Sequence, residues 1–197
     1  INLMEKQYPK LIPHMSTCKS PQGMIGALVK TYFASKIGKK PQEIYHVSIM
    51  PCTAKKDEML REAGGRSGYK DIDYVMTTRE CAVFLKNCGI SNFELELPFD
   101  NPMGIGTGAG AIFGASGGVM EAVLRTAADK VAGENQAIPN NTMTACRGFE
   151  GIKTAEVKIA GTNVVVGIVN GIANIKGFLA DMDRVGTANC GYHFVEI

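Results

Sequence analysis

The chain has 197 residues, 45% of them hydrophobic and 20% charged, which is a globular composition with room for one sizeable core or two small lobes. Its net charge is +2 and no Lys/Arg run is interleaved with aromatics, so nothing points to nucleic acid. No window approaches the roughly 18 consecutive apolar residues of a membrane span, and the start, Ile1-Asn-Leu-Met-Glu-Lys, lacks the basic region and apolar core of a signal peptide.

In chain order, Met24, Ile25, Leu28, Val29, Tyr32 and Phe33 recur at helical spacing, which predicts a helix from Gln22 to about Ile37 with Pro21 in its first turn. Gly38 ends that helix and Pro41 marks a loop. The run Ile44-Tyr-His-Val-Ser-Ile-Met50 reads as a strand apolar enough to be covered on both faces. Pro51 cannot continue its ladder, so Cys52 is presented at the carboxyl end of a strand, just ahead of a charged helix start. In open α/β sheets that edge is where ligands sit. A thiolate there, at a helix amino terminus beside Lys55 and Lys56, suits a metal ligand or a nucleophile, while a buried inert thiol after a core strand is the plain alternative.

A loop is expected at Gly64-Gly65-Arg66-Ser67-Gly68, then a strand over 72–78, with Thr78 capping a helix over 79–88. Cys81 and Cys88 lie seven apart on one face of that helix and read as packing. Residues 98–118 form a long loop whose glycines, at 104, 106, 108, 110, 114, 117 and 118, suit close approach to a ligand. Ser116 is expected to cap a helix over 117–132 with Glu121 in its first turns. The last third predicts strands over 155–159 and 164–169 around a turn at Gly161-Thr-Asn, a helix over 172–185 and a final strand over 192–197. Strands alternating with helices imply βαβ units. The expectation is an α/β fold of five strands and four or five helices, with mostly parallel sheets, flanking helices and two lobes that meet near the glycine loop and suit a cofactor between them, which the resemblance given below makes a metal-cluster site.

Six scattered cysteines without a CxxC pair argue against both a disulfide-stapled module and a zinc ribbon, and they fit a reducing compartment with one or two chemically used thiols. Ten Met and 23 Gly suit tight loops around a bulky, soft cofactor as well as ordinary core filling. A dinucleotide fingerprint fails because Phe113 stands where the third glycine belongs after Gly108 and Gly110, and no Gly-Lys-Ser/Thr follows to make a P-loop. His14, His46 and His193 have no helical partner that would suggest a metal pair.

Three strings carry a resemblance. Met50-Pro-Cys-Thr-Ala-Lys-Lys-Asp-Glu58 fills every fixed position of M-P-C-x-x-K-x-x-E. The segment Gly108-Ala-Gly-Ala-Ile-Phe-Gly-Ala-Ser-Gly-Gly-Val-Met-Glu-Ala-Val-Leu-Arg125-Thr126 follows the pattern GxIFGxTGGVMEAALRT, and Ser16-Thr-Cys-Lys-Ser-Pro-Gln22 follows STCKSPQ. In this order they resemble the FeFe (iron-only) hydrogenases, over nearly the whole chain. The resemblance implies an H-cluster: a four-iron four-sulfur cubane joined through a cysteine sulfur to a diiron subsite carrying CO, cyanide and a dithiolate. It implies Cys52 as one of four cubane ligands, Lys55 as a donor to a cyanide, and Gln22, Met50, Pro51, Phe113 and Gly114 as the pocket of the diiron site. Ser16 would belong to a proton path, with a turn role as the alternative, and Glu58 belongs to the signature, with a first-turn helix charge as the alternative.

Cys18 receives no ligand role, Cys146 and Cys190 read as structural, and Ile105 stands where many relatives have an acidic residue. Residue 1 is Ile, and the resemblance implies an internal segment truncated at both ends: a cysteine-proline-tryptophan motif would precede it and M-A-C-x-x-G-C would follow. The activity implied is reversible reduction of protons to hydrogen gas. Ferredoxin or another electron carrier and hydrogenase maturation proteins are the implied partners, with no nucleic acid and no membrane span. The expected compartment is the cytoplasm, with the periplasm left open. A non-catalytic hydrogenase-like iron–sulfur assembly protein, which would lack the lysine-bearing signature, and a sensory hydrogenase are the alternatives.

Overall fold

The computed structural model of this chain describes residues 1–61, 67–94, 96–135, 138, 140–148 and 151–197. In chain order its helices are α1 (Asn2–Gln7), α2 (Pro21–Leu28), α3 (Ala34–Lys36), α4 (Ala54–Glu58), α5 (Thr78–Asn87), α6 (Ala109–Ile112), α7 (Gly118–Ala132) and α8 (Ile172–Val185). The strands are β1 (Val47–Met50), β2 (Tyr74–Thr77), β3 (Ile152–Ile159), β4 (Thr162–Val169) and β5 (Phe194–Glu196). One unit comprises Ser16–Ile105, the other Ile1–Met15 with Gly106–Ile197. The expected loop at Gly64, Gly65 and Arg66 lies outside the described residues.

In the unit Ser16–Ile105, Ser20 caps α2 by accepting the Gly23 N–H at 3.3 Å, and Pro21 occupies the first turn where its missing N–H costs nothing. The helix passes the strand-entry segment closely at Gly26: a Cβ there would stand 2.9 Å from the Asp71 carbonyl oxygen and 3.1 Å from the Ile72 side chain. It loosens into a π turn over Val29–Phe33, closes as α3, and stops near Gly38, whose φ is 66°. The predicted single helix is therefore one continuous run with a change of pitch. Lys30, in that turn, is 3% exposed, and its Nζ donates to Asp73 Oδ2 at 2.6 Å and to the carbonyls of Ile44 and Pro41. Asp73 Oδ2 also accepts the His46 N–H at 2.7 Å, so one part-buried ion pair joins the helix to the leading ends of both strands.

Strands β1 and β2 pair in parallel, from Val47 with Tyr74 to Met50 with Thr77. Ser48 and Val75 are buried, whereas Val47, Ile49 and Tyr74 are 40%, 52% and 43% exposed. The reading of β1 as covered on both faces is thus corrected: within the described residues only one face is packed. Thr77, not Thr78, caps α5, through a reciprocal pair in which the Glu80 N–H donates to Thr77 Oγ1 at 3.1 Å and the Thr77 N–H to Glu80 Oε2 at 2.8 Å. Cys81 is half-buried but Cys88 is exposed at the helix end, so the two do not form one packed face.

In the other unit, β3 and β4 form an antiparallel hairpin from Ile152 opposite Val169 to Ile159 opposite Thr162. Its tip is Ala160-Gly161, with φ of 47° and 85°, a turn whose twist matches the strands and which lies one residue earlier than predicted. β5 joins β4 in parallel with α8 between them in sequence, so two of the three strand pairings among the described residues are parallel. Met120 and Leu124 of α7, Met143, Cys146, Ala155, Val157, Val166 and Ile168 make the core. The predicted long loop contains α6, and neither α1 nor the turn that follows it left a pattern recognised in the sequence.

Ser116 does not cap α7. The cap position is Gly117, at φ 82°, where a Cβ would stand 1.8 Å from the Cys146 carbonyl oxygen. The free N–H groups of Gly117 and Met120 donate instead to the carboxylate of Glu196, at 2.8 and 2.6 Å. A carboxylate at a helix amino terminus gains from both the hydrogen bonds and the dipole, which explains a cap brought from a distant strand. Glu121, 3% exposed, accepts from Arg125 and Arg147. The bond from Arg147 holds its carboxyl below the ordinary range, prevailing over burial.

Burial pushes the Asp73 carboxyl upward, but Lys30 and the His46 N–H outweigh it and leave it below the ordinary 3.8. A depressed pKa contributes stability that is present above the unfolded value and lost as pH falls through the folded one. Urea unfolding should therefore show a loss of stability below about pH 3.8 that Asp73→Asn reduces. At neutral pH, Lys30→Ala should cost about 1–3 kcal/mol because the part-buried Asp73 carboxylate loses its buried cation but keeps the His46 N–H. Lys39→Ala, at an exposed pair 3.8 Å apart, should cost under about 1 kcal/mol.

Candidate functional site

The carboxyl end of β1 is built from two sequence segments that meet. Ser48 is the inward polar residue of an otherwise apolar strand, and its hydroxyl donates to Gln22 Oε1 at 2.8 Å. Gln22 is 2% exposed, and its amide donates to the Lys55 carbonyl at 3.4 Å. Both polar ends of a buried amide are thereby satisfied, one by the strand and one by α4. Beyond Met50 the ladder ends at Pro51, and Cys52 follows, exposed, its carbonyl accepting the Lys55 N–H at 3.3 Å as α4 begins. Lys55 Nζ donates to Glu58 Oε2 at 2.5 Å, and Glu58 Oε1 accepts the Ser20 hydroxyl.

The structure therefore brings Ser20, Gln22, Ser48, Lys55 and Glu58 into one hydrogen-bonded group. Met50 is half-buried at the strand end and Pro51 is exposed beside Cys52. Ser16 is exposed and accepts the Cys18 N–H at 3.1 Å, which is the local turn role named as its alternative. Phe113, half-buried, and Gly114, exposed, belong to the other unit, just after α6. Lys56, the neighbour of Lys55, pairs instead with Glu80 of α5 at 2.6 Å, so the two lysines are drawn to different partners. That bond, first of several effects, lowers the Glu80 carboxyl.

Sequence reasoning missed Ser20 and Ser48. The signals were present: a serine ahead of a proline that opens a helix, and one hydroxyl in the apolar run of β1. The histidines are accounted for structurally. His46 Nδ1 donates to the Asp71 carbonyl at 2.9 Å, His193 Nδ1 accepts the Val165 N–H at 3.0 Å, and His14 Nε2 bonds Thr187 Oγ1 at 3.1 Å. Cys146 is fully buried in the core, where burial and then the charge of Glu121 push its thiol upward. Among the described residues no three His, Cys, Asp or Glu side chains converge as a metal-holding group. Cys52 is therefore a single exposed thiol at a strand end, with the Lys55 network beside it in sequence.

Residues 1–197 match the family described as iron only hydrogenase large subunit, C-terminal domain. The periplasmic Fe hydrogenase large subunit of Nitratidesulfovibrio vulgaris is 47% identical over 194 residues, covering 98% of this chain and 45% of that protein. Iron hydrogenase 1 of Clostridium pasteurianum is 42% identical, covering 98% and 33%. The cytosolic iron-sulfur assembly component 3 of Pongo abelii is 33% identical, covering 95% and 40%. An apo FeFe-hydrogenase from Chlamydomonas reinhardtii has the same fold, with a TM-score of 0.74 at 37% identity, covering 99% of this chain and 55% of that one. The chain thus spans less than half the length of these curated relatives.

Thiol labelling checks the placement of the cysteines. In the native chain, iodoacetamide followed by peptide mass spectrometry should modify Cys52, Cys18 and Cys88 readily and Cys146 only after unfolding, since the thiolate is the reactive form and must be reachable. Equal native labelling of Cys146 and Cys52 would contradict the structure.

Proposed function

Because the chain belongs to the iron-only hydrogenase large-subunit, C-terminal domain family, we propose that its parent protein interconverts protons and electrons with hydrogen gas at an H-cluster. The observation that carries this reading is the intact Met50–Glu58 signature, folded so that Cys52 stands exposed at the end of β1 and Lys55 is held by both its carbonyl and its ammonium. The residues fit such a group as one part of its holding set. Thiolates are the ligands that iron–sulfur clusters take, and Cys52 is a reachable one. One thiol does not hold a cubane, so the remaining ligands would come from the rest of the parent.

When bound, the cluster would supply the electron storage and the open iron coordination that the reaction needs. This chain's residues bind and orient. Cys52 would hold the cubane. Lys55 has three N–H donors, of which Glu58 takes one, and a second would serve a cyanide of the diiron subsite. Gln22 fixes the main chain of Lys55, while Met50 and Pro51 would keep water from the subsite. Ser16, with a hydroxyl open to solvent, would pass protons. Phe113 and Gly114 stay in this proposal on the matching segment alone. An electron carrier such as ferredoxin and maturation proteins would be the partners, and the cytoplasm the compartment, with the periplasm, where the name of one relative puts that protein, as the alternative. No helix among the described residues is long and apolar enough to cross a membrane.

Relatives named for iron–sulfur assembly support a second reading, a non-catalytic protein. Their lower identity, 31% and 33% against 47%, and the complete lysine-bearing string here favour the hydrogenase. In the parent, Cys52→Ser should abolish hydrogen evolution from reduced viologen and remove the cubane's paramagnetic signal, while Cys81→Ser leaves both in place. A parent that carries cluster iron but neither evolves nor oxidises hydrogen would favour the assembly reading. The 197-residue chain alone should show no hydrogenase activity even with a synthetic diiron mimic supplied.

A further inference from the structure

Lys55 has the chemistry of a donor but not, by itself, a fixed position. Its stem is four carbons long, and an i,i+3 pair with Glu58 on the five-residue helix α4, with side chains 25% and 24% exposed, is the kind of ion pair that alone orders little. In the neighbouring Lys56–Glu80 pair the carboxylate is held by the main-chain N–H of Thr77, whereas here it is held by a side chain of another segment. The Ser20 hydroxyl donates to Glu58 Oε1 while Glu58 Oε2 receives Lys55 Nζ. The same Ser20 oxygen accepts the Gly23 N–H and so is anchored to the first turn of α2. That turn also carries Gln22, whose amide holds the Lys55 carbonyl. Both ends of Lys55 are therefore referred to one rigid turn.

We propose that Ser20 is a positioning residue for Lys55 and acts through Glu58. One oxygen of Glu58 is taken by Ser20, so the carboxylate cannot rotate freely, and the ammonium bonded to its other oxygen inherits that orientation. The inference rests on the reading of Lys55 as a donor to the diiron subsite, and its test separates the two.

In the full-length parent, Ser20→Gly removes the hydroxyl while leaving a residue that still serves as a helix cap, and Ser20→Thr keeps the hydroxyl. Ser20→Gly should lower retention of the diiron subsite by roughly 10-fold and shift its cyanide infrared bands, while the cubane's paramagnetic signal stays. Ser20→Thr should restore both. In a Lys55→Asn background, Ser20→Gly should add nothing further, whereas a loss through helix stability alone would add in full. Wild-type bands and retention in Ser20→Gly, with both lost in Lys55→Asn, would overturn the positioning role and leave the reading of Lys55 intact. Wild-type bands and retention in Lys55→Asn itself would overturn that reading and this inference with it.

Discussion

The buried amide of Gln22 joins what the sequence keeps apart. Its oxygen accepts from Ser48 in β1 and its nitrogen donates to the main chain of Lys55, so α2, the strand and α4 share one polar group that no solvent reaches. A buried amide left without partners carries a penalty of roughly 1–3 kcal/mol for each unmade bond, so the three elements cannot shift independently. The Ser20–Glu58–Lys55 chain extends the same constraint to the side chains. Preorganisation of this kind lets a site hold its donors in place before any cofactor arrives.

The rest of that unit serves the same end. The Lys30–Asp73 pair ties the far end of the helix to the leading ends of both strands, and the absent Cβ of Gly26 lets the helix approach Asp71 and Ile72 closely. With the helix held at both ends, the exit of β1 at Pro51 is defined, and so is the direction in which Cys52 leaves the sheet. In the other unit a carboxylate plays the comparable part. Glu196 reaches from β5 to the first N–H groups of α7, so strand and helix are joined by charge-assisted bonds. Both units use a polar side chain from one element to complete the backbone of another.

How much of this was legible depended on whether a feature is local. The strands expected over 72–78 and 164–169, found over 74–77 and 162–169, the helix expected over 117–132, found over 118–132, and the exit at Pro51 follow from local patterning and proline chemistry, which act within a few residues. The motif positions Cys52, Lys55 and Glu58 were legible by resemblance, and the structure brings Lys55 and Glu58 together as an ion pair. The failures were non-local. Ser116 looked like a cap because serine usually is one, but the left-handed Gly117 and the pressing Cys146 carbonyl handed the role to Glu196, 79 residues away. Thr78 failed as a cap by one position because Thr77, not Thr78, stands three residues before a glutamate. The even coverage expected for β1 failed because hydrophobicity reports what a strand tolerates, not what packs on it: Ile49 is as apolar as Val75 yet half exposed.

As proposed, Ser20 and Gln22 would form with the Met50–Glu58 segment one prearranged unit that offers a cubane a thiolate and a diiron site an ammonium. A crystal structure of the loaded parent, with iron located by anomalous scattering, tests it most directly. The account predicts Cys52 Sγ at bonding distance from a cubane iron, and Lys55 Nζ still on Glu58 while a further donor meets a cyanide nitrogen. Iron held without Cys52, or a Lys55 ammonium turned to solvent with Glu58 released from Ser20, would contradict it.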